Sequence, residues 1–330
     1  MIRVAVIGAG VAGLACASRL ADAGFRVDVF EQCHATGGRL AICRDHGTGF
    51  DLGAQYFTAR DPRFIAQVLA WQQAGAVARW DISLSVVDAQ GKILASPDDT
   101  PRWVGMPSMA AISHQMLGRH VVLCTQTQIT AVARHDSGWT LYAGNNLSFT
   151  GFHALVVAIP APQAELFVSA SPTLVAAVRA VPMEPCWTVA IGYDSPTGIV
   201  VDAAFGRGQP VSWLARNSSK PGRPLLPETW VLQAAPGWSE EHLEAPADAV
   251  ARHLQRWFAG VVAVHAPEPA WLHAYRWRHA RTGHAVLDAH HFDERLQLGI
   301  CGDWCNGGRV EGAWLSGQSL ADTLLAAHRL

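Results

Sequence analysis

The chain has 330 residues, long for a single hydrophobic core, so two domains are expected. Half of it is apolar and only 16% is charged, below the usual quarter, which implies a large buried interior. A net charge of −2 argues against partners that select for basic excess, namely nucleic-acid polymers and anionic membranes.

The seven cysteines are odd in number and scattered, which speaks against a disulfide framework and for a reducing cytoplasm. No apolar run is long enough to suggest a transmembrane helix. Cys301 and Cys305 lie near His290 and His291, but the second matching pair of a zinc site is missing, so no metal is expected. Basic residues are almost all arginine; the lysines are Lys92 and Lys220.

The chain opens with "MIRVAVIGAGVAGLACASRLADA", which has the basic residue, apolar run and small residues of a secretion signal. The glycine spacing fits a nucleotide-binding turn better. "IRVAVIG" reads as a strand buried on both faces of a parallel sheet. Gly8, Gly10 and Gly13 follow as G-x-G-x-x-G: a tight turn, a close approach to a pyrophosphate, and close packing of helix on strand. A helix from about Val11 to Ala23 would point its first amides at the phosphates, with Gly24 as its stop. "RVDVFE" is the next strand. It ends in Glu31, 18 residues after Gly13, where a carboxylate can accept the hydroxyls of an adenosine ribose.

"EQCHATGGRLAICRDHGTGFDLGAQYFT" comes next. Gly37, Gly38 and Arg39 would place a guanidinium near the same pyrophosphate. Glu31, "GGR" and "FDLGAQYF" together resemble the FAD-binding opening of the flavin amine oxidase superfamily. Further stretches resemble that superfamily: "VGMPSMAAI" (104–112), "TQITAVARHDSGWTL" (127–141), "ALVVAIPAPQA" (154–164) and "CGDWCNGGRVEGAWLSG" (301–317).

The resemblance implies an α/β fold, with a Rossmann-like FAD-binding domain and a smaller α+β substrate domain containing a mixed sheet. The FAD-binding domain would be discontinuous, 1–57, 113–165 and 281–330, with 58–112 and 166–280 forming the substrate domain. FAD, held non-covalently, would contact Gly8, Gly10, Ala12, Gly13, Glu31, Gln32, Gly38, Arg39, Gln55 and Tyr56. The backbone around Ile129 would read the adenine, and Asp303 would bond ribityl or ribose hydroxyls. The helix starting near Val310 would meet the flavin N1–C2=O edge, where negative charge gathers on reduction.

Within the superfamily, "GAQYFTARD" and "GDWCNGGRVEGAWLSG" are most similar to the bacterial renalase group. That likeness implies an oxidase of the 2- and 6-dihydro isomers of NAD(P), passing a hydride to FAD and then electrons to O2, with NAD(P)+ and hydrogen peroxide as products. Amine oxidases of the superfamily keep a lysine near flavin N5. The comparable strand is expected at "PCWTVAIGY" (185–193), which has Cys186 and Trp187 and no lysine; neither Lys92 nor Lys220 is expected there. No side-chain base is expected, because a dihydronicotinamide is already a hydride donor. Tyr56, Arg60, Trp187, Trp277 and Arg278 are candidates for the substrate pocket, with Arg276 and His279 beside them. The rival readings are an amine oxidase, a non-catalytic nucleotide-binding redox module and a plain NAD(P)-dependent dehydrogenase.

"ADAVARHLQRWFAGV" (247–261) has helical spacing of Val250, Leu254, Trp257 and Phe258, read as a core-facing stripe. "SSKPGRPLLPE" (218–228) reads as a surface connection.

Overall fold

The computed structural model describes residues 1–45, 48–118, 120–144, 146–283 and 287–328. Its first layer is a six-stranded sheet in the order His291–Asp293, Leu298–Ile300, Ala154–Val157, Arg3–Ile7, Arg26–Phe30, Val121–Cys124. All neighbours are parallel except His291–Asp293, which runs antiparallel at the edge.

Alternation along the strands splits the interior into two cores. Val4, Val6, Val27, Val29, Ala154 and Val156 face the first helix, Val11–Asp22, and the final helix, Val310–Ala327. Ala5, Ile7, Phe30, Leu155 and Val157 face the opposite way, against Trp139, Leu141 and Phe152 of an antiparallel three-stranded meander. Arg3–Ile7, Ala154–Val157 and Leu298–Ile300 are near-continuous apolar runs, as a sheet buried on both sides requires.

The second sheet has seven strands, Trp271–Thr282, Met183–Tyr193, Glu228–Ala234, Val211–Arg216, Ala203–Gly206, Leu84–Val87 and Ile93–Ala95. It is mixed: Leu84–Val87 runs parallel to Ala203–Gly206 and the other pairs are antiparallel. The helix Ala247–Val261 covers one face through Val250, Ala251, Leu254 and Phe258. Trp257, expected on that stripe, is half-buried and donates Nε1–H to Gln209 Oε1 at 2.8 Å. The other face carries Ala190, Val231 and Trp277 and packs on Phe50 and Leu52.

The fold class is thus as expected: a Rossmann-like layer joined to a mixed-sheet region. The boundary expected at 165/166 falls inside the first body. Phe167, Val168, Leu174 and Val178 pack with Leu155, Val157 and Ile300. On the other side, the helix Pro62–Gln73 buries Phe64, Val68 and Trp71 in the core of the first and final helices. It starts where it does because Asp61 accepts from Arg63 N at 2.8 Å and Pro62 occupies the first position.

Candidate active site

The opening glycine turn is shaped by contact. Gly8 has a φ of 102°, and a Cβ there would come 2.6 Å from the Ala158 carbonyl oxygen. One on Gly13 would come 2.1 Å from Gly8 O, whereas one on Gly10 would meet nothing within 4 Å. The turn is therefore closed around Gly8 and Gly13 and open at Gly10, which is the shape a bound pyrophosphate needs. The first intrahelical bond is Leu14 N–H to Gly10 O, 2.9 Å. The preceding amides, Val11, Ala12 and Gly13, have no partner within the helix and are donors suited to an anion.

Glu31 is buried beside this turn. Its Oε2 accepts from Ala9 N at 3.0 Å and its Oε1 from Cys33 N at 2.9 Å. Each oxygen keeps a further lone pair for a ribose hydroxyl. Thr127 N–H donates to Glu31 O at 2.9 Å, which brings the strand Ile129–His135 alongside; Ile129 itself is buried. Gln32 is exposed.

The "GGR" loop docks on the same turn, with Gly37 N–H donating to Ala9 O at 2.8 Å and both glycines at positive φ. Arg39 then turns to a partner the sequence did not suggest. Its guanidinium holds both oxygens of Asp303, at 2.9 and 2.5 Å, and bonds Ala280 O at 3.1 Å. Arg39 and Asp303, expected at different parts of the cofactor, are bonded to each other. Asp303 opens a short 3-10 turn, Asp303–Cys305, and its carbonyl accepts from Asn306 N and Gly308 N, both at 2.8 Å.

The final helix begins directly after. Its first intrahelical bond is Ala313 N–H to Arg309 O at 2.9 Å, so the amides of Val310, Glu311 and Gly312 remain as donors at its positive end. Two glycines seat it. A Cβ on Gly312 would come 1.8 Å from Asn306 O, and one on Gly317 would come 2.2 Å from Ala12 O. Ala12, expected near the cofactor, is thus also where the first and final helices touch.

A cavity of about 310 Å3 opens at this helix start. Gly308, Arg309 and Val310 line it on one side, and Ala54, Tyr56, Phe57, Thr58 and Arg60 on another. Asp98, Thr100 and Arg102 close it from the loop before the strand Trp103–Gly105. Arg102 is buried, bonds Asp98 Oδ2 at 2.5 Å and Thr100 O at 2.9 Å, and lies 5.3 Å from the Tyr56 ring centre. Tyr56 also packs on Trp213, with ring centres 5.0 Å apart. Burial pushes its phenol above the ordinary value although Arg102 pulls the other way. Glu311, buried in the first turn of the final helix, accepts from Arg60 N at 2.6 Å and Asp61 N at 2.7 Å through one oxygen, Oε1. One carboxylate therefore ties two walls of the cavity together.

The structure divides the expected substrate residues. Tyr56 and Arg60 line the cavity; the other three do not. Trp187 points to the opposite face of its strand, buried among Val250, Leu254 and Phe258, with Nε1–H donated to His242 O at 2.9 Å. Trp277 packs with Phe50 and Leu52 and donates to Leu52 O at 3.1 Å. Arg278 is exposed and forms a two-pronged pair with Glu244, at 2.6 and 3.0 Å. Arg276 joins the same carboxylate. His279 is half-buried, and burial, with Arg39 and Arg278 nearby, lowers its imidazole below the ordinary value.

Lys220 departs from expectation, and Gln55 is its neighbour. The Gln55 side chain is buried and bonds Asp51 O and Gly53 O. Behind it lies Lys220, expected in a surface connection far from the site but fully buried. Its Nζ bonds Asp51 Oδ2 at 3.0 Å, Gln55 Oε1 at 3.1 Å and Asn217 Oδ1 at 3.2 Å. Arg223 reaches the same Asp51 oxygen at 2.6 Å. A lysine is thus brought directly behind the Gly53–Tyr56 segment, on a different element from the strand where it was sought. Burial, offset in part by Asp51, lowers its ammonium to about 8. Asp51 is held below the usual carboxylate range because Lys220 and Arg223 outweigh the effect of burial.

The cysteines considered for a metal are occupied by packing: Cys301 and Cys305 are buried, and His290 bonds Ser319 and Thr323 at 3.0 Å each. Among the described residues, no group of three or more His, Cys, Asp or Glu is placed to hold a metal ion. No described helix is long and apolar enough to cross a membrane.

Comparison with known proteins agrees with this arrangement. Residues 6–70 match the NAD(P)-binding Rossmann-like domain family. The chain is 43% identical to phytoene desaturase of Fusarium fujikuroi across 65 residues, 20% of this chain and 11% of that protein. It is 46% identical to 4,4'-diapophytoene desaturase (4,4'-diaponeurosporene-forming) of Staphylococcus aureus across 52 residues, 16% and 10% of the two chains. The matched region spans about a tenth of the length of these curated relatives. The whole fold resembles cyclohexylamine oxidase from Brevibacterium oxydans, with a TM-score of 0.76 at 15% identity over 98% of this chain and 99% of that one. Putrescine oxidase bound to putrescine gives 0.73 at 14% identity over the same shares. Residues 101–325, more than half of the chain, match the flavin containing amine oxidoreductase family. The protein belongs to the flavin containing amine oxidoreductase family.

Proposed function

We propose that the protein is an FAD-dependent oxidase of the 2- and 6-dihydro isomers of NAD(P), of the bacterial renalase type, yielding NAD(P)+ and hydrogen peroxide. The observation that carries this reading is a cavity at a helix start whose lining offers no free base. Its one carboxylate, Asp98, is bonded to Arg102, its phenol is held protonated by burial, and no histidine or lysine lines it. A substrate that is already a hydride donor needs orientation and exclusion of water rather than deprotonation.

The residues present fit FAD. The amides of Val11 to Gly13 suit its pyrophosphate, Glu31 suits the adenosine ribose, and the open amides from Val310 onward suit a ring edge that gathers negative charge. When bound, FAD supplies a two-electron acceptor that oxygen can reoxidise. The chain's own part is to hold the donor ring against Tyr56, beside the ring edge that the final helix faces, with Thr58 and Thr100 available for a polar substituent. No cysteine or histidine lines the cavity, which supports non-covalent attachment. A dinucleotide and O2 as the reactants, and a cytoplasmic setting, belong to the same reading.

A second reading is amine oxidation, favoured by the names of the structural neighbours. Against it, Lys220 is enclosed by Asp51, Gln55 and Asn217. Anaerobic mixing of the purified flavoprotein with 2-, 6- and ordinary 4-dihydro NAD(P), and with a panel of amines, separates the two. Rapid bleaching by the first two alone is expected; bleaching by amines instead would replace this reading with the second. Peroxide production in air would dismiss a non-catalytic module, and a colourless protein that binds NAD+ would favour a simple dehydrogenase.

A further inference from the structure

We infer that Arg60 and Arg309 form an anion clamp on the cavity, taking the phosphate groups of the substrate while its reactive ring lies inside. This deepens the proposed dihydronicotinamide reading and rests on it. Three guanidiniums line the cavity and one carboxylate does. Arg102 and Asp98 neutralise each other at 2.5 Å, which leaves two positive charges, on Arg60 and Arg309. Both are exposed, and among the described residues neither is paired with a carboxylate. The chain's other exposed arginines commonly are paired, as Arg63 is with Asp61, Arg179 with Glu165 and Arg278 with Glu244. Among the described residues Arg60 and Arg309 are unpaired, and both line the cavity.

The two arginines are also held in relation to one another. Arg60 N–H and Asp61 N–H both donate to Glu311 Oε1, at 2.6 and 2.7 Å, and Glu311 lies two residues beyond Arg309. A single buried carboxylate thus fixes the backbones that carry both guanidiniums. Each guanidinium presents a planar fork of donors matched to phosphate oxygens. A ligand with an uncharged ring and an anionic diphosphate fits this distribution: ring against Tyr56, phosphates against the exposed arginines. A cationic amine would meet two uncompensated like charges in the same space.

The test uses the FAD-loaded protein and three variants: Arg60→Gln, Arg309→Gln, and Arg179→Gln as a control for surface charge. Two donors are compared, a 2- or 6-dihydro NAD isomer and the same isomer as the uncharged dihydronicotinamide riboside. The preference in kcat/KM for the dinucleotide over the riboside is expected to fall on the order of tenfold with each cavity substitution and to persist in Arg179→Gln. Loss that is equal for both donors, or lowered FAD occupancy in Arg309→Gln, would overturn the clamp and assign these arginines to the cofactor or the fold.

A second readout is independent of turnover. Inorganic pyrophosphate is titrated into the resting protein while the flavin absorbance is followed. Saturable perturbation that disappears in the Arg60→Gln, Arg309→Gln double variant supports the clamp even if the donors prove to be other anions. Perturbation unchanged in the double variant overturns it even if the dihydro isomers are oxidised.

Discussion

Arg39 grips both carboxylate oxygens of Asp303 across 264 residues of sequence, at 2.9 and 2.5 Å. Arg39 follows the loop docked on the glycine turn, and Asp303 precedes the helix that starts at the cavity. The pair therefore joins the two ends of the expected cofactor site. Its side chains are 29% and 9% exposed, partly shielded from water.

Asp303→Asn keeps the shape but removes the charge from this pair. FAD affinity is expected to fall by about tenfold to a hundredfold, the range for losing a charged hydrogen bond. Fluorescence of released flavin measures it. In a double-mutant cycle with Arg39→Gln the two losses are expected to be less than additive, because each removes the same bond.

The Lys220, Asp51 and Arg223 cluster has two positive charges on one negative charge, all buried. Asp51→Asn would leave two buried cations without a counter-charge and cost about 3–5 kcal/mol. Lys220→Met leaves the Arg223–Asp51 pair intact and forfeits the Nζ bonds to Asp51, Gln55 and Asn217, about 2–3 kcal/mol. Urea unfolding of the two variants is expected to rank them in that order.

Lys220 also gives the stability a pH dependence of known sign. Its ammonium is lowered from 10.5 to about 8 in the fold, so between those values the unfolded chain binds the extra proton. Stability then rises with pH across this window. The stability of the native protein relative to Lys220→Met is expected to increase from pH 8 towards pH 10.5, measured by urea midpoints at fixed salt. At the acidic end the slope has the same sign: Asp51 stabilises the fold above its ordinary value and that contribution is lost as pH falls through its lowered one.

Glu311→Ala removes the acceptor shared by Arg60 N and Asp61 N and loosens one wall of the cavity. A several-fold rise in KM for the dinucleotide, with a smaller change in kcat, is expected of a positioning residue. Glu311→Gln keeps an oxygen acceptor and is expected to recover most of the loss.

The nucleotide half was legible because its signals are local. Gly8, Gly13 and Glu31 lie within one strand–turn–helix–strand unit; the two glycines make the close approaches their residue type suggested, and Glu31 is buried against the same turn. Trp187 was misplaced because strand parity cannot be read when both faces are buried: its neighbour Cys186 pairs with Trp277, and Trp187 faces the covering helix instead. Arg102 and Lys220 gave no signal at all. Their meaning comes from Tyr56 and Asp51, residues distant in sequence that only folding brings near. Arg309 stood in a recognised motif, but the motif says nothing of which guanidiniums are left unpaired.

The contact of Gly317 on Ala12 O, where a single methyl group would come within 2.2 Å, has a bearing on biosynthesis. Arg39 and the glycine turn leave the ribosome long before Asp303 and the helix that must lie against them. An emerging chain can shape the glycine turn early, yet it lacks the partner for Arg39 until Asp303 is made. Capture of the proposed FAD would then wait on closure of these long-range contacts.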